Sequence, residues 1–262
     1  MKCVLITGCS TGIGRALAQV LVKRGWRVFA GVRDLSHAPA GTTAVLLDVT
    51  NPEHIRAARE TVEAGCGRLD ALVNNAGIPY GGPVECLDLD RVRQLYEVNV
   101  FGVLAVTKEC IPLLRAAQGR VLNIGSVSGL VSMPFLSPYS SSKFALAAIT
   151  DSMRMELAGW KITVVCAVLG QVRTAVWEKA IRALEELTPL AGSYSAHLPT
   201  IREALQPRGE SPERVARVVA QILETRRPRT RYLIGLQSIG GYLFSLLPGK
   251  ARDWLIRLAF GA

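Results

Sequence analysis

Val-Leu-Ile-Thr-Gly-Cys-Ser-Thr-Gly-Ile-Gly, residues 4–14, is an apolar run that breaks into glycines and then into a helical pattern. Cys3–Thr7 reads as a strand, and Gly12–Lys23 reads as a helix with Ile13, Leu17, Val20 and Leu21 on its buried stripe. Gly8, Gly12 and Gly14 give the spacing Gly-x-x-x-Gly-x-Gly between the two. Glycines there permit a tight turn and let backbone approach an anion at the positive end of the helix, the arrangement that holds a pyrophosphate. A strand, a glycine turn and a helix so near the N-terminus predict the first unit of a doubly wound α/β sheet.

Outward from this unit, short β-branched and apolar runs recur at Arg27–Val32, Thr43–Leu47, Ala71–Asn74, Val121–Ile124, Ile162–Val168 and Tyr232–Ile234. Amphipathic stretches separate them. Asn51 is a natural N-cap with Pro52 at the first helical position, and Ser211-Pro212-Glu213 opens another helix the same way. Residues 89–117 carry two helical segments. The pattern predicts one Rossmann-type α/β domain over 1–262, its seven-stranded sheet mainly parallel and covered by helices on both faces.

A second constellation lies at 121–143. Val121–Ile124 ends in Gly125 and Ser126, Pro134 and Pro138 punctuate a loop, and a helix starts near Tyr139. Tyr139 and Lys143 are four residues apart and share a helical face. A free tyrosine has a pKa of about 10, and a cation one turn away is expected to lower it. The phenol can then exchange a proton with an oxygen that Ser126 also holds.

The bulk numbers agree with a globular domain. The chain has 262 residues, 49% hydrophobic and 20% charged, which suits a large buried core. Its net charge of +10 suits an anionic ligand, a membrane surface or simply a solvated exterior, and nothing suggests nucleic-acid binding. The six cysteines and three histidines show no metal-ligand spacing, so no metal is expected and reduced, cytoplasmic thiols are the default. No signal peptide is evident, and no stretch is long enough to span a bilayer.

The glycine turn, Val73-Asn-Asn-Ala-Gly77, Val98-Asn-Val100 and Tyr139-x-x-x-Lys143, in this order, resemble the short-chain dehydrogenase/reductase family over roughly residues 2–176. The wording of Leu5–Gly14 and Gly125–Leu146 is similar to the branch holding 17β-hydroxysteroid and retinol dehydrogenases. The resemblance implies an oxidoreductase interconverting a carbonyl and a secondary or allylic alcohol. Tyr139 would be its acid/base, with Lys143, Ser126 and Asn99 as its partners. The implied cofactor contacts are Gly8, Ser10, Thr11, Gly12, Ile13, Gly14, Asp48, Val49, Asn75, Ala76, Gly77, Tyr139, Lys143, Val172 and Thr174. Asn74 and Asn75 would supply amides beside the glycine turn. Leu169-Gly170 stands where the family commonly has Pro-Gly.

The end of the second strand bears on the cofactor. Val32 fills the position of the carboxylate that marks NAD, and Arg33 follows, so NADP(H) is expected; Asp34 is the competing residue. Trp177, Ile181, Leu184, Leu187 and Leu190 form either a packed surface helix or a substrate lid within 175–208. Residues 239–260 form an amphipathic extension that contacts a membrane surface, the cleft or a second subunit. Trp254 and Phe260 are candidates for the cleft wall. A hydrophobic substrate such as a steroid, retinoid or lipid-derived ketone is expected. A homodimer or homotetramer, through Leu113, Ala147 and Met153, is expected with it. The alternatives are a reductase of small or acyl ketones, a non-catalytic dinucleotide sensor, and a peripheral membrane protein.

Overall fold

The computed structural model describes all residues except 188–193, 195–196, 205, 207 and 261–262, and all their side chains except those of 179, 183–187, 198, 201, 204 and 260. Seven strands, β1 (Cys3–Ile6), β2 (Arg27–Val32), β3 (Thr43–Leu46), β4 (Ala71–Asn74), β5 (Arg120–Ser126), β6 (Thr163–Leu169) and β7 (Arg231–Ile234), form one sheet. Their order is β3-β2-β1-β4-β5-β6-β7 and every pairing is parallel. The sheet is therefore wholly parallel where the sequence suggested mainly so. Its direction of winding reverses between β1 and β4, so the carboxyl ends of those strands open into a crevice.

Alternation along each strand builds two cores. Val4 and Ile6 of β1 pack with Leu17 and Leu21 of α1 (Gly12–Lys23) and with Val215 and Val219 of α8 (Pro212–Glu224). Cys3 and Leu5 face the other way. They pack with residues of α2 (Pro52–Cys66), α4 (Gly102–Ala117) and α5 (Ser137–Glu156). Both faces are thus covered, which is why the strands read as continuous apolar runs. The remaining helices are α3 (Leu89–Tyr96), α6 (Ala175–Leu187), α7 (Leu198–Ala204), α9 (Leu236–Ser245) and α10 (Gly249–Phe260).

The Asn51 side chain accepts from the N–H groups of Glu53 and His54, so it caps α2 as expected. The two segments of 89–117 are one nearly continuous rod. α3 runs into α4 through a single π-helical turn, Glu97–Phe101. Two expectations are corrected. Cys3 and Cys66 are joined by a disulfide, because the first residue of β1 and the last of α2 become neighbours; a sequence separation of 63 hides this. Leu113 points into the core and is unavailable for subunit pairing. In the basic run before and into β7, Arg231 is paired with Asp151 at 3.1 Å, while Arg226, Arg227 and Arg229 are exposed.

Candidate active site

The glycine turn forms one wall of the crevice. Gly8 and Gly12 have φ of 72° and 58°, conformations that disfavour a side chain. A Cβ on Gly14 would stand 2.3 Å from the Gly8 carbonyl oxygen and 2.5 Å from Asn75 Nδ2. That contact exists because Asn75 Nδ2 donates to the carbonyls of Thr7 and Gly8 at 2.8 and 3.0 Å. The Thr7 hydroxyl in turn accepts from the N–H groups of Asn75 and Ala76 at 3.0 and 2.9 Å. The two glycine-bearing loops are clamped together, and Thr7 is a part of the clamp that the sequence reading missed. Thr11 gives α1 no side-chain cap, so its first amides stay available to an anion. Ser10, Thr11, Gly12 and Ile13 line the cavity here, which fits a pyrophosphate.

At the far end of β2, Arg33 is exposed on the cavity rim. Asp34 turns away: its carboxylate accepts from Ser36 N and Oγ at 2.9 and 2.7 Å and caps a short 3₁₀ turn. Asp48 and Val49 line the same cavity. Burial works to raise the Asp48 pKa. Hydrogen bonds from the Thr50 N–H and hydroxyl, aided by Arg33 and His54, outweigh it and hold the carboxyl below its usual range.

The reacting groups meet beyond β5. Ser126 ends that strand, and its hydroxyl is hydrogen-bonded to the Tyr139 phenol. Lys143 is buried, with Nζ donating to the Ile124 carbonyl at 3.2 Å and lying 5.8 Å from the centre of the Tyr139 ring. Burial presses its pKa down to about 8. The expectation that Lys143 lowers the Tyr139 pKa is not met in this arrangement. Burial raises the phenol, and the opposing influence is the Ser126 hydrogen bond, because the ammonium is engaged by Ile124 instead.

Asn99 sits in the π turn and is almost wholly buried. Its Oδ1 accepts from Ile78 N at 2.9 Å, and its Nδ2 donates to the Ile78 carbonyl at 3.0 Å and to Ser142 Oγ at 3.2 Å. A Cβ on Gly77 would lie 3.3 Å from Asn99 Oδ1 and 3.9 Å from Lys143 Nζ, so both polar groups converge on that glycine. Such π turns recur at functional sites because the extra residue re-aims a side chain. Asn74 does not join them. It faces the core, donating to Thr107 Oγ1 at 3.0 Å and Asn123 Oδ1 at 2.8 Å, which corrects its expected place beside the glycine turn.

One cavity of about 330 Å³ runs from Gly8 past Arg33 and Asp48 to Ser126, Tyr139 and Lys143. A family model described as short chain dehydrogenase matches residues 2–185. The chain belongs to the short-chain dehydrogenase family. Like the relatives named below, it is an oxidoreductase. An NADPH-dependent 3-dehydrocapnine reductase from Ornithobacterium rhinotracheale is 32% identical, over 89% of this chain and 88% of that one. The human 17-beta-hydroxysteroid dehydrogenase type 1 is 35% identical, over 87% of this chain and 76% of that one. A solved short-chain dehydrogenase from Streptomyces avermitilis superposes with a TM-score of 0.83 at 30% identity, covering 97% of this chain and 94% of its own.

In this short-chain dehydrogenase Val172 and Thr174 line the cavity. Trp177 joins them, its Nε1 donating to the Val172 carbonyl at 2.8 Å. It packs with Ile181, Phe135 and Leu136 into an apolar group. Phe135, at φ 64°, is outside the cavity lining but shares this apolar group; its ring meets Tyr194 edge-on at 5.8 Å. The side chains of Leu184 and Leu187, and all of Leu190, lie outside the described residues. Trp254 is corrected: it is exposed on α10 and lines no part of the cavity. The side chain of Phe260 lies outside the described residues.

Proposed function

We propose that this short-chain dehydrogenase, folded as one domain, is an NADP(H)-dependent oxidoreductase interconverting a ketone and a secondary or allylic alcohol on a hydrophobic substrate. The observation that carries this reading is the convergence of Ser126, Tyr139 and Lys143 on one cavity that begins at a glycine turn, with Asn99 beside its Gly77. The nicotinamide, when bound, supplies or accepts the hydride. Tyr139 gives a proton to the substrate oxygen in reduction and takes it back in oxidation. Ser126 holds that same oxygen by hydrogen bond. Lys143 would hold the ribose hydroxyls and lend its charge to the phenolate. Asn99 anchors the water path by which protons return.

NADP(H) is favoured over NAD(H) by Arg33 on the rim and by the engagement of Asp34 with Ser36. An arginine can pair a 2′-phosphate, and a carboxylate bonded elsewhere cannot hold the ribose hydroxyl. Trp177, which lines the cavity and shares an apolar group with Phe135, Leu136 and Ile181, supports an apolar substrate. The hydroxysteroid in the name of the human relative agrees with this. Homo-oligomers are proposed through the α4–α5 face, where a groove is lined by Leu104, Ile111, Ile149 and Met153.

The test follows NADPH absorbance over a panel of ketones. Turnover with bulky apolar ketones at higher kcat/KM than with short polar ones, and its loss in Tyr139→Phe with NADPH affinity retained, is expected. Preference for short polar ketones removes the apolar wall from the site. Undiminished turnover in Tyr139→Phe removes the acid/base role.

A further inference from the structure

Helix α9 carries its hydrophobic seam on the outside. Leu236, Ile239, Leu243 and Leu246 follow the spacing of one helical face, yet they are 86%, 45%, 59% and 66% exposed. The opposite side is fixed to the rim of the active site. A Cβ on Gly241 would come 2.0 Å from Val127 Cγ2, and Val127 follows Ser126. Gln237 Oε1 accepts from the backbone N–H of Gln171 at 2.7 Å, and Gln171 precedes Val172. Ser238 is buried. The helix is therefore clamped at its polar side, and the apolar seam is what it presents outward.

α10 continues the pattern with charge added. Trp254 and Leu258, one turn apart, are both exposed. Lys250 precedes Trp254 by four residues and Arg257 follows it by three, so both cations border the same apolar strip. α9 has no charged residue, and α10 has Lys250, Arg252 and Arg257 against Asp253 alone. None of the described side chains of α10 is buried. An exposed apolar strip of this extent marks a contact surface.

We propose that α9 and α10 dock on an anionic lipid surface. The leucine seam and Trp254 would enter the boundary between headgroups and acyl chains, and Lys250 and Arg257 would reach the phosphates. Charge decides between this occupant and a second copy of the chain. A twofold pairing through the same face brings two net-positive copies of α10 together, whereas an anionic surface neutralises them. The net charge of +10 acts in the same direction. The docked orientation leaves α9 between the lipid and the rim beside Ser126.

The test needs no turnover, so it stands apart from the proposed reaction. The full chain is sedimented with vesicles of phosphatidylcholine and with vesicles containing phosphatidylglycerol. Binding to the anionic vesicles at least tenfold tighter than to the neutral ones is expected, with a blue shift of Trp254 emission. Lys250→Gln with Arg257→Gln should weaken anionic binding on the order of 25-fold, about fivefold for each cation. Leu243→Ser with Leu246→Ser should abolish binding while the melting temperature stays at the wild-type value. Equal affinity for both vesicle types, or none for either, overturns the proposal. A fall in mass by light scattering in the leucine variant, without lipid binding by the wild type, assigns the seam to a second copy instead.

Discussion

Replacing Lys143 by Met should raise the stability of the cofactor-free protein at neutral pH while removing turnover. Lys143 is 8% exposed, and burial presses its pKa from 10.5 to about 8. A depressed pKa means that the folded state penalises the charged form. The penalty is complete below about pH 8, shrinks as pH rises through that value and vanishes above 10.5. At pH 7 it amounts to about 3 kcal/mol at most, taking ~1.4 kcal/mol per pKa unit. Methionine keeps the length and apolar stem but loses the bond to the Ile124 carbonyl, a loss of about 1 kcal/mol. The net gain is about 2 kcal/mol, or roughly 4–8 °C in Tm for a chain of this size. Urea unfolding at pH 7 and pH 9 checks both sign and trend, since the advantage of the variant should fall to about 1 kcal/mol at the higher pH. A variant less stable than wild type at pH 7, or one whose advantage grows with pH, would refute the buried-charge reasoning.

Other outcomes follow from the same geometry. Arg33→Ala should weaken NADPH by roughly tenfold or more with little effect on NADH, because a charge-assisted phosphate bond is worth about 1.5–3 kcal/mol; equal weakening of both in fluorescence titrations would return attention to Asp34. Gly14→Ala should cost about 1–3 kcal/mol of stability and most of the cofactor affinity, since its Cβ meets backbone at 2.3 Å; a normal melting curve would show that the clamp between the glycine turn and Asn75 yields easily. Wild-type protein should scatter light as a dimer or tetramer, and Ile149→Arg in the α4–α5 groove should give a monomer; a monomeric wild type would discard that face.

The order of strands and helices was legible because it is written in local periods. Apolar runs end in glycine or asparagine, and Asn51-Pro52 and Ser211-Pro212 announce their helices within a few residues. The glycine turn and the Tyr139–Lys143 pair were legible for the same reason: the groups that must cooperate are a turn apart. Relations between distant segments were not. Nothing in residues 73–77 says that Asn75 reaches back to Thr7 and Gly8 while Asn74 turns into the core; the alternation of β4 between two covered faces decides it. Asn99 owes its aim to a π turn, and Phe135 joins the apolar group of Trp177 only through the packing of α6. Lys143 shared a face with Tyr139 on paper, yet its ammonium finds the Ile124 carbonyl, because β5 passes beside α5 at that height. The period of α9 showed an amphipathic helix, but which side faces solvent depends on Gly241 meeting Val127, a contact between residues more than a hundred positions apart in the chain. Spacing sets which side chains share a face; only the packing of elements sets what that face meets.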